Sequence, residues 1–170
     1  MKKLFFGLIV LGFTNLMNAQ LAINEAQSNA AYLLNVTISD NAEIVTTLEK
    51  IVADYNIKKI AVYNVDSNNT YDVVFEDATY KIKATYTKTG EVIKTFEEFN
   101  NIKLPLQLST EILRKYPNWA FSSNKQTVTY EKDKGAIKIY TVEIQNNTTI
   151  KSLKFNVVSS PEINYVAINN

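Results

Sequence analysis

Apolar residues recur at the spacing of an α-helix within residues 42–55. They form one stripe that comprises Ile44, Val45, Leu48, Ile51, Val52 and Tyr55. The opposite face carries Glu43, Thr47, Lys50 and Asp54. This pattern predicts an amphipathic helix, and either Asp40 or Asn41 could cap its start.

A second helix is predicted over residues 105–116. Its apolar stripe comprises Leu108, Ile112, Leu113 and Tyr116. Pro105 suits the first turn, where its missing N–H is not needed, and Pro117 ends the helix. Ser109 is interpreted as a cap of this helix.

Short segments rich in β-branched and aromatic residues follow each helix and predict strands. They are residues 57–65, 71–75, 79–86 and 91–96 in the first half, and 119–123, 126–132, 136–144 and 149–157 in the second. Turns are expected at 66–69, at 87–90, at 133–135 and at Asn146-Asn147, and Gly90 can take the positive φ that such a turn needs.

The two halves, residues 41–99 and 105–158, therefore repeat one plan of a helix followed by strands. We expect an α+β fold in which helices pack on one face of an antiparallel sheet, with either one sheet or two similar sheets in series. Residues 20–40 form a separate amino-terminal segment. Residues 159–170 form a carboxy-terminal tail or an edge strand built from Ile163, Tyr165 and Ala167.

Alternation within the strands predicts which side chains face the helices. The inward set is Tyr80, Ile82, Ala84, Tyr86, Tyr140, Val142, Ile144, Leu153 and Phe155. The open set is Lys81, Lys83, Thr85, Thr127, Thr129, Glu131, Ile137, Ile139, Thr141 and Lys154. Trp119 and Phe121 could be interface anchors, since large aromatic residues are enriched there, or could pack in the core beside the second helix.

The amino end has the layout of a secretory signal peptide. Lys2 and Lys3 precede an apolar run over residues 4–13, and Asn18-Ala19-Gln20 supplies a small residue for cleavage after Ala19. The run is about ten residues, whereas a membrane-spanning helix needs about 20, so we expect residues 1–19 to be removed and to leave no permanent anchor. A buried amino-terminal helix is the alternative interpretation.

Charge and composition limit the kinds of partner and the kinds of catalytic group that the chain can have. Without Lys2 and Lys3 the chain has 16 basic and 17 acidic residues, a net charge of −1 without blocks, so nothing indicates a nucleic-acid partner. The sequence contains no His and no Cys, which removes the commonest general base, the thiolate nucleophile and disulfides together. We expect no catalytic residue, cofactor or metal site.

Three arrangements of oxygen-bearing side chains could in principle support catalysis or bind a metal ion. Glu97-Glu98 and Glu76-Asp77 are adjacent carboxylates, but neighbours on a strand point to opposite faces, which favours solvated charges. A serine–lysine pair could form from Ser122-Ser123 and Lys125, although this segment resembles a turn. Residues 66–69 could bind calcium but lack the spacing of a calcium loop, so a plain turn is preferred.

Several motifs resemble one known family. They are Leu104-Pro105, Ile112, Lys115-Tyr116-Pro117, Trp119, residues 140–144, Leu153-Lys154-Phe155 and the 80–90 hairpin. Together they are similar to the PepSY-like family, also called β-lactamase-inhibitor-like, over residues 72–156. The resemblance implies a periplasmic or outer-surface protein of Bacteroidota-like bacteria, with helices on one face of an antiparallel sheet. The inhibitor that lends the name grips an enzyme with its open sheet face, but no inhibitory residue can be matched here.

The sequence thus predicts an exported, non-catalytic binding module that contacts a protein or a cell-envelope component. The expected contact residues are Lys81, Lys83, Trp119, Phe121, Thr127, Thr129, Ile137, Ile139 and Lys154. Two alternatives stay open, a small hydrolase that uses carboxylates or a serine, and an envelope protein that self-associates through exposed sheet edges.

Overall fold

The computed structural model describes residues 29–63, 70–159 and 163–168. The predicted signal peptide, residues 1–19, and the predicted turn and calcium hypothesis at residues 66–69 lie outside this part of the chain.

Seven strands form a single antiparallel sheet in which each strand pairs with the next along the chain, in the order β1 to β7. The strands are β1 (Tyr71–Glu76), β2 (Tyr80–Tyr86), β3 (Val92–Asn100), β4 (Ala120–Glu131), β5 (Gly135–Asn146), β6 (Thr149–Ser159) and β7 (Ile163–Ile168). The fold is therefore α+β with an open antiparallel sheet, as the sequence predicts.

Three α-helices accompany the sheet within the described residues. Residues 29–36 are helical (α1), and α2 (Glu43–Ala53) and α3 (Leu106–Lys115) follow. The sequence analysis did not predict α1, and it placed the other two helices within two residues of their observed bounds. None of the helices in the described part of the chain is long and apolar enough to cross a bilayer.

All three helices contribute to one core on one face of the sheet. Tyr32 of α1 packs edge-on against Tyr130 of β4, with 5.3 Å between ring centroids. The Tyr86 hydroxyl of β2 donates to the Val52 carbonyl of α2 over 2.8 Å. Leu108 of α3 is fully buried in the same cluster. Burial of this common apolar surface is the main contribution to the stability of the fold.

The buried stripes of α2 and α3 contain fewer residues than predicted. Val45, Leu48 and Val52 are buried, but Ile44 and Ile51 on α2 are about half exposed, and so is Leu113 on α3. The assignment of these three residues to the core was wrong. Each lies at the edge of its apolar stripe, away from the centre of the buried face, and is partly in contact with water.

Both predicted helix caps were wrong. Ala42 occupies the N-cap of α2 and makes no side-chain cap bond, while the Asn41 side chain is bonded to the sheet instead. In α3 the N-cap is Pro105, and the Ser109 hydroxyl donates to the Leu106 carbonyl over 2.9 Å. Ser109 therefore lies inside the first turn and satisfies a carbonyl rather than a free amide.

The predicted strand over residues 57–65 was also wrong. Ile57–Lys59 forms a single 3₁₀ turn, and residues 60–63 continue without a strand. The Asn56 side chain accepts a hydrogen bond from the Lys58 amide, which holds the chain in a tight turn after α2. β-Branched composition was outweighed here by a local side-chain-to-backbone bond.

The prediction of two strands over residues 119–132 was wrong, and the structure also decides between a tail and a strand at the carboxy terminus. Residues 119–123 and 126–132 were predicted as separate strands with a turn at 122–125, whereas β4 runs through both and bends at an irregularity between Phe121 and Ser123. The open question about the carboxy terminus is answered by β7, which is an edge strand. Gly90 has a φ of +88°, as predicted for its hairpin turn.

Candidate functional site

The sheet face opposite the helices is the candidate site, and it is called the helix-free face below. In the described part of the chain, no helix covers it. It carries the whole predicted open set: Lys81, Lys83, Thr85, Thr127, Thr129, Glu131, Ile137, Ile139, Thr141 and Lys154. The inward set is buried or half-buried, so the predicted register of the central strands is confirmed.

Pairing across the sheet aligns these residues in rows. One row runs from Lys83 through Phe96 and Thr129 to Ile137. A second runs from Glu98 through Thr127 and Ile139 to Asn156. The residues of a row come from neighbouring strands about 5 Å apart, so the predicted contact residues form one continuous surface.

Apolar side chains lie exposed along the middle and the β7 side of this face. The exposed fraction is 63% for Ile137, 38% for Phe96, 40% for Val158 and 52% for Val166. Phe96 and Ile137 lie in one row with Thr129 between them, and Val158 and Val166 lie on β6 and β7. Several exposed apolar side chains on one face are typical of an interaction surface.

Two lysines on the helix-free face are paired with glutamates across strands. Lys81 donates to Glu76 over 2.5 Å, and Lys125 donates to Glu98 over 3.0 Å. The hydrogen bond from Lys81 lowers the pKa of Glu76. The face is therefore of mixed charge, and these exposed pairs contribute little to stability.

Trp119 and Phe121 do not belong to this surface. Trp119 is half-buried against the core, and its ring centroid lies 6.0 Å from that of Tyr116. Phe121 pairs in register with Ile144, a residue of the helix-covered side, and is 39% exposed. The structure thus brings seven of the nine predicted contact residues together and places these two elsewhere.

A second cluster, which the sequence analysis missed, lies between the helices and the sheet. Glu97 of β3 is fully buried, so its interpretation as a solvated charge was wrong. One carboxylate oxygen accepts hydrogen bonds from the hydroxyls of Tyr32, over 2.8 Å, and Thr95, over 2.6 Å. The other oxygen has no partner among the described residues. Burial raises the pKa of Glu97.

Glu49 of α2 is the second buried carboxylate. It accepts a hydrogen bond from the Thr37 hydroxyl over 2.8 Å and a longer one from the Asn41 amide over 3.5 Å. Burial, followed by the charge of Glu97, raises the pKa of Glu49 to about 8. At neutral pH this carboxyl group is therefore mainly protonated.

Lys138 of β5 completes the cluster. Its ammonium donates to the Asn35 carbonyl over 2.5 Å, which ties the end of α1 to the sheet. Burial lowers its pKa, and the charges of Glu49 and Glu97 act in the opposite direction. Lys138 and Thr37 also line a cavity of about 410 Å³, while both carboxylates are enclosed.

The arrangements considered for catalysis are not assembled in the described residues. The Ser123 hydroxyl donates to Glu143 over 2.7 Å, whereas Lys125 pairs with Glu98, so serine and lysine engage different carboxylates. Glu97 and Glu98 point to opposite faces, as the alternation predicts. The described residues contain no group of three or more side chains suited to hold a metal ion.

One signal in the sequence could have revealed Glu49. It follows Val45 by four positions and precedes Val52 by three, so it belongs to the apolar face of the predicted helix. A carboxylate in such a position is either misplaced or has buried partners.

Comparison of the chain with protein-family models, with curated proteins and with solved structures gave no match.

Proposed function

We propose that the protein is an exported binding module that engages a partner protein through the helix-free face. The observation that supports this most directly is the exposed apolar group on a face that no described helix covers, with Ile137 at 63% exposure as its most accessible member. Interfaces between proteins have this composition, an apolar centre within a polar rim.

The charge pattern supports a protein partner over a polyanion. Lys81 and Lys125 on this face are paired with glutamates. Its remaining lysines, Lys83, Lys94 and Lys154, are accompanied on the same face by Asp72, Glu131 and Glu143. A nucleic acid or an anionic membrane surface would need a concentration of unpaired basic residues. Mixed charge around an apolar centre instead fixes the orientation of a folded partner.

Export is the part of the proposal that rests on the sequence alone. Lys2, Lys3 and the apolar run over residues 4–13 support it. Sequencing the amino terminus of protein isolated from the cell envelope tests it, and the expected first residue is Gln20. A first residue within 1–19 would contradict removal of the signal.

We further propose a PepSY-like arrangement of two related halves. The order of elements supports this, since α2 is followed by β1, β2 and β3, and α3 is followed by β4, β5 and β6. In that case residues 41–99 and 105–158 are two copies of one unit joined edge to edge in a common sheet.

The interaction experiment uses a photo-reactive amino acid at Ile137, in protein produced in its native host. The matched control carries the same amino acid at Leu106, an exposed apolar residue at the start of α3 on the helical side. We expect one defined protein adduct from position 137 and none from position 106. The further change Ile139→Lys, next to the probe on the same face, should suppress the adduct.

Two outcomes would contradict the proposal. One is an adduct from position 106 with none from 137, which would move the contact to the helical side. The other is an adduct from 137 that Ile139→Lys leaves unchanged. Circular dichroism of each variant shows that it is folded before the adducts are compared.

Self-association is a second candidate, and one observation favours it. The edge strand β7 contains no charged residue, although natural edge strands usually carry charges or proline that prevent pairing with another chain. Sedimentation over a range of concentrations tests this. A dimer that Val166→Lys dissociates supports pairing near β7, whereas a monomer at all concentrations excludes it.

The hydrolase alternative has weaker support. The two carboxylates that the fold brings into one cluster, Glu49 and Glu97, are fully buried, and a substrate has no direct access to them. A general acid must lie within hydrogen-bonding reach of its substrate. Turnover of a substrate by the purified chain, abolished by Glu49→Gln, would favour the hydrolase.

A further inference from the structure

A cavity lies on the helical side of the sheet, between α3 and the strands β6 and β7. Its volume is about 770 Å³. Sites for small molecules commonly measure about 300–1,000 Å³, so this cavity has the size of a ligand site. It lies apart from the buried cluster around Glu97, and it shares one residue, Lys154, with the predicted contact residues of the helix-free face.

Cations line one side of the cavity. Arg114 and Lys115 come from the last turn of α3, and Lys151 comes from β6. All three are exposed, and no carboxylate of the described residues forms an ion pair with them. Glu111 is the acidic residue in the lining. With Lys154, which also belongs to the lining, four basic residues thus face one acidic residue.

The negative end of α3 explains why two of these basic residues lie where they do, but it does not explain the third. Basic residues in the last turn of a helix interact favourably with its negative end, which accounts for Arg114 and Lys115. Lys151 belongs to a strand, yet its ammonium lies 5.0 Å from the centroid of the Tyr116 ring. The Lys115 ammonium lies 5.9 Å from the same ring. Each ammonium is attracted to the ring, but the two like charges repel each other, so an anion that contacts both would be favourable here.

The other side of the cavity is apolar. Ile112 of α3, Leu153 and Phe155 of β6, and Tyr165 and Ala167 of β7 line it. Phe155 and Tyr165 are at most 8% exposed, so their rings are fixed by the core. A rigid apolar wall opposite a group of cations matches a ligand that has an apolar body and a negative head.

We propose that this cavity binds a small amphipathic anion. Its carboxylate, sulfonate or phosphate group contacts Lys151, Lys115 and Arg114, and its apolar body lies against Phe155 and Tyr165. The other described cavities fit this ligand class less well. Each contains fewer basic residues. One has Lys138 alone, whose ammonium is already bonded to a carbonyl, one has Lys50 and Lys59 together with Asp54, and one has Lys50 alone.

The test uses 1-anilinonaphthalene-8-sulfonate as the probe and N-phenyl-1-naphthylamine as its uncharged counterpart, each titrated by fluorescence into the folded chain. We expect Lys151→Glu to weaken binding of the sulfonate by about tenfold or more, since a hydrogen bond to a charged group contributes on the order of 1.5–3 kcal/mol. Binding of the uncharged counterpart should change by less than about twofold.

The control variant is Lys83→Glu, which makes the same change of charge at an exposed position on the helix-free face. It should leave sulfonate binding within about twofold of the native value. Inorganic phosphate added as a competitor shows whether the head group alone is recognised. Weak competition by phosphate and strong competition by decanoate are expected for an amphipathic ligand.

Three results would overturn the proposal. Lys83→Glu weakening the sulfonate as much as Lys151→Glu would show a general effect of charge. Equal loss of the uncharged probe in Lys151→Glu would show damage to the fold. Unchanged binding in both Lys151→Glu and the conservative Lys151→Gln would place the probe elsewhere.

Discussion

The Tyr32 hydroxyl of α1 donates a hydrogen bond to the Glu97 carboxylate of β3 over 2.8 Å, although the two residues are 65 positions apart in the chain. Both side chains are fully buried. This bond joins the first described helix to the middle of the sheet, and it provides one of the two donors that the buried carboxylate has.

Tyr32→Phe removes that donor and leaves the rest of the ring in place. We expect the free energy of unfolding to fall by about 1–3 kcal/mol, because a buried acceptor loses its partner. Urea denaturation followed by circular dichroism measures it. Tyr63→Phe is the matched control, since the Tyr63 hydroxyl makes a long exposed bond of 3.4 Å to the Lys88 carbonyl, and its loss should cost less than about 0.5 kcal/mol. Equal losses in the two variants would contradict a special role for the buried bond.

The raised pKa of Glu49, about 8, predicts how stability depends on pH. Between about pH 4.5 and pH 8 the folded chain holds a proton that the unfolded chain has released. The free energy of unfolding therefore falls as the pH rises through this window, by at most about 1.4 kcal/mol per pH unit for one proton. The raised pKa of Glu97 acts in the same direction. The lowered pKa of Lys138 raises stability with pH, but above its own folded pKa.

Glu49→Gln tests this dependence, because glutamine keeps the size of the side chain and cannot release a proton. We expect a flatter profile of melting temperature against pH between pH 4.5 and pH 8. Glu43→Gln, an exposed change on the same helix, should keep the native slope. A native profile that rises with pH across this window would contradict a protonated Glu49.

Two leucines of α3 give a test of how the helix packs. Leu108 is fully buried and Leu106 is 76% exposed. We expect Leu108→Ala to lower the free energy of unfolding by about 2–5 kcal/mol, since it opens a cavity in the core. Leu106→Ala should change it by less than about 0.5 kcal/mol. Denaturant titration measures both, and similar losses would mean that α3 is rotated relative to the sheet.

Charge insertion tests the assignment of the two sheet faces. Ile137 is 63% exposed on the helix-free face, whereas Val128 of β4 is fully buried on the other. Ile137→Lys should change the melting temperature little, which also makes it suitable for binding experiments. Val128→Lys should lower the free energy of unfolding by about 1–3 kcal/mol or more, because it forces a longer charged side chain into the packed core beside Lys138. Tolerance of lysine at position 128 would contradict the assigned register.

Much of the sheet and of the candidate surface could be predicted because strand side chains alternate strictly. The alternation of Tyr80, Ile82 and Ala84 with lysines fixes which side of β2 meets the helices. Once one strand is assigned, neighbours in register lie on the same side, so seven of the predicted contact residues were correctly placed on one face of the sheet, while their role in contact stays a prediction. Trp119 and Phe121 could not be placed in this way, because they precede the irregularity in β4, where the alternation breaks.

Helix α1 and the irregular segment after α2 were missed for a different reason. The buried side chains of α1, Tyr32 and Val36, are too few to give a clear helical period. Most helical stability in proteins comes from packing against other elements, so a short helix is defined by what it docks on. The 3₁₀ turn at Ile57–Lys59 likewise depends on one side-chain bond from Asn56.

The sequence by itself determined the two longer helices, most of the antiparallel strands, the side of the sheet that the regularly alternating strand residues face, and the absence of imidazole and thiol chemistry. These follow from residue identity and local periodicity, which act over a few positions. The tertiary structure decided that Glu49, Glu97 and Lys138 are buried, and that a cavity lined by cations and aromatic rings forms beside α3. A charged side chain can be buried when residues distant in sequence supply its hydrogen bonds, and those partners meet only after the chain has folded.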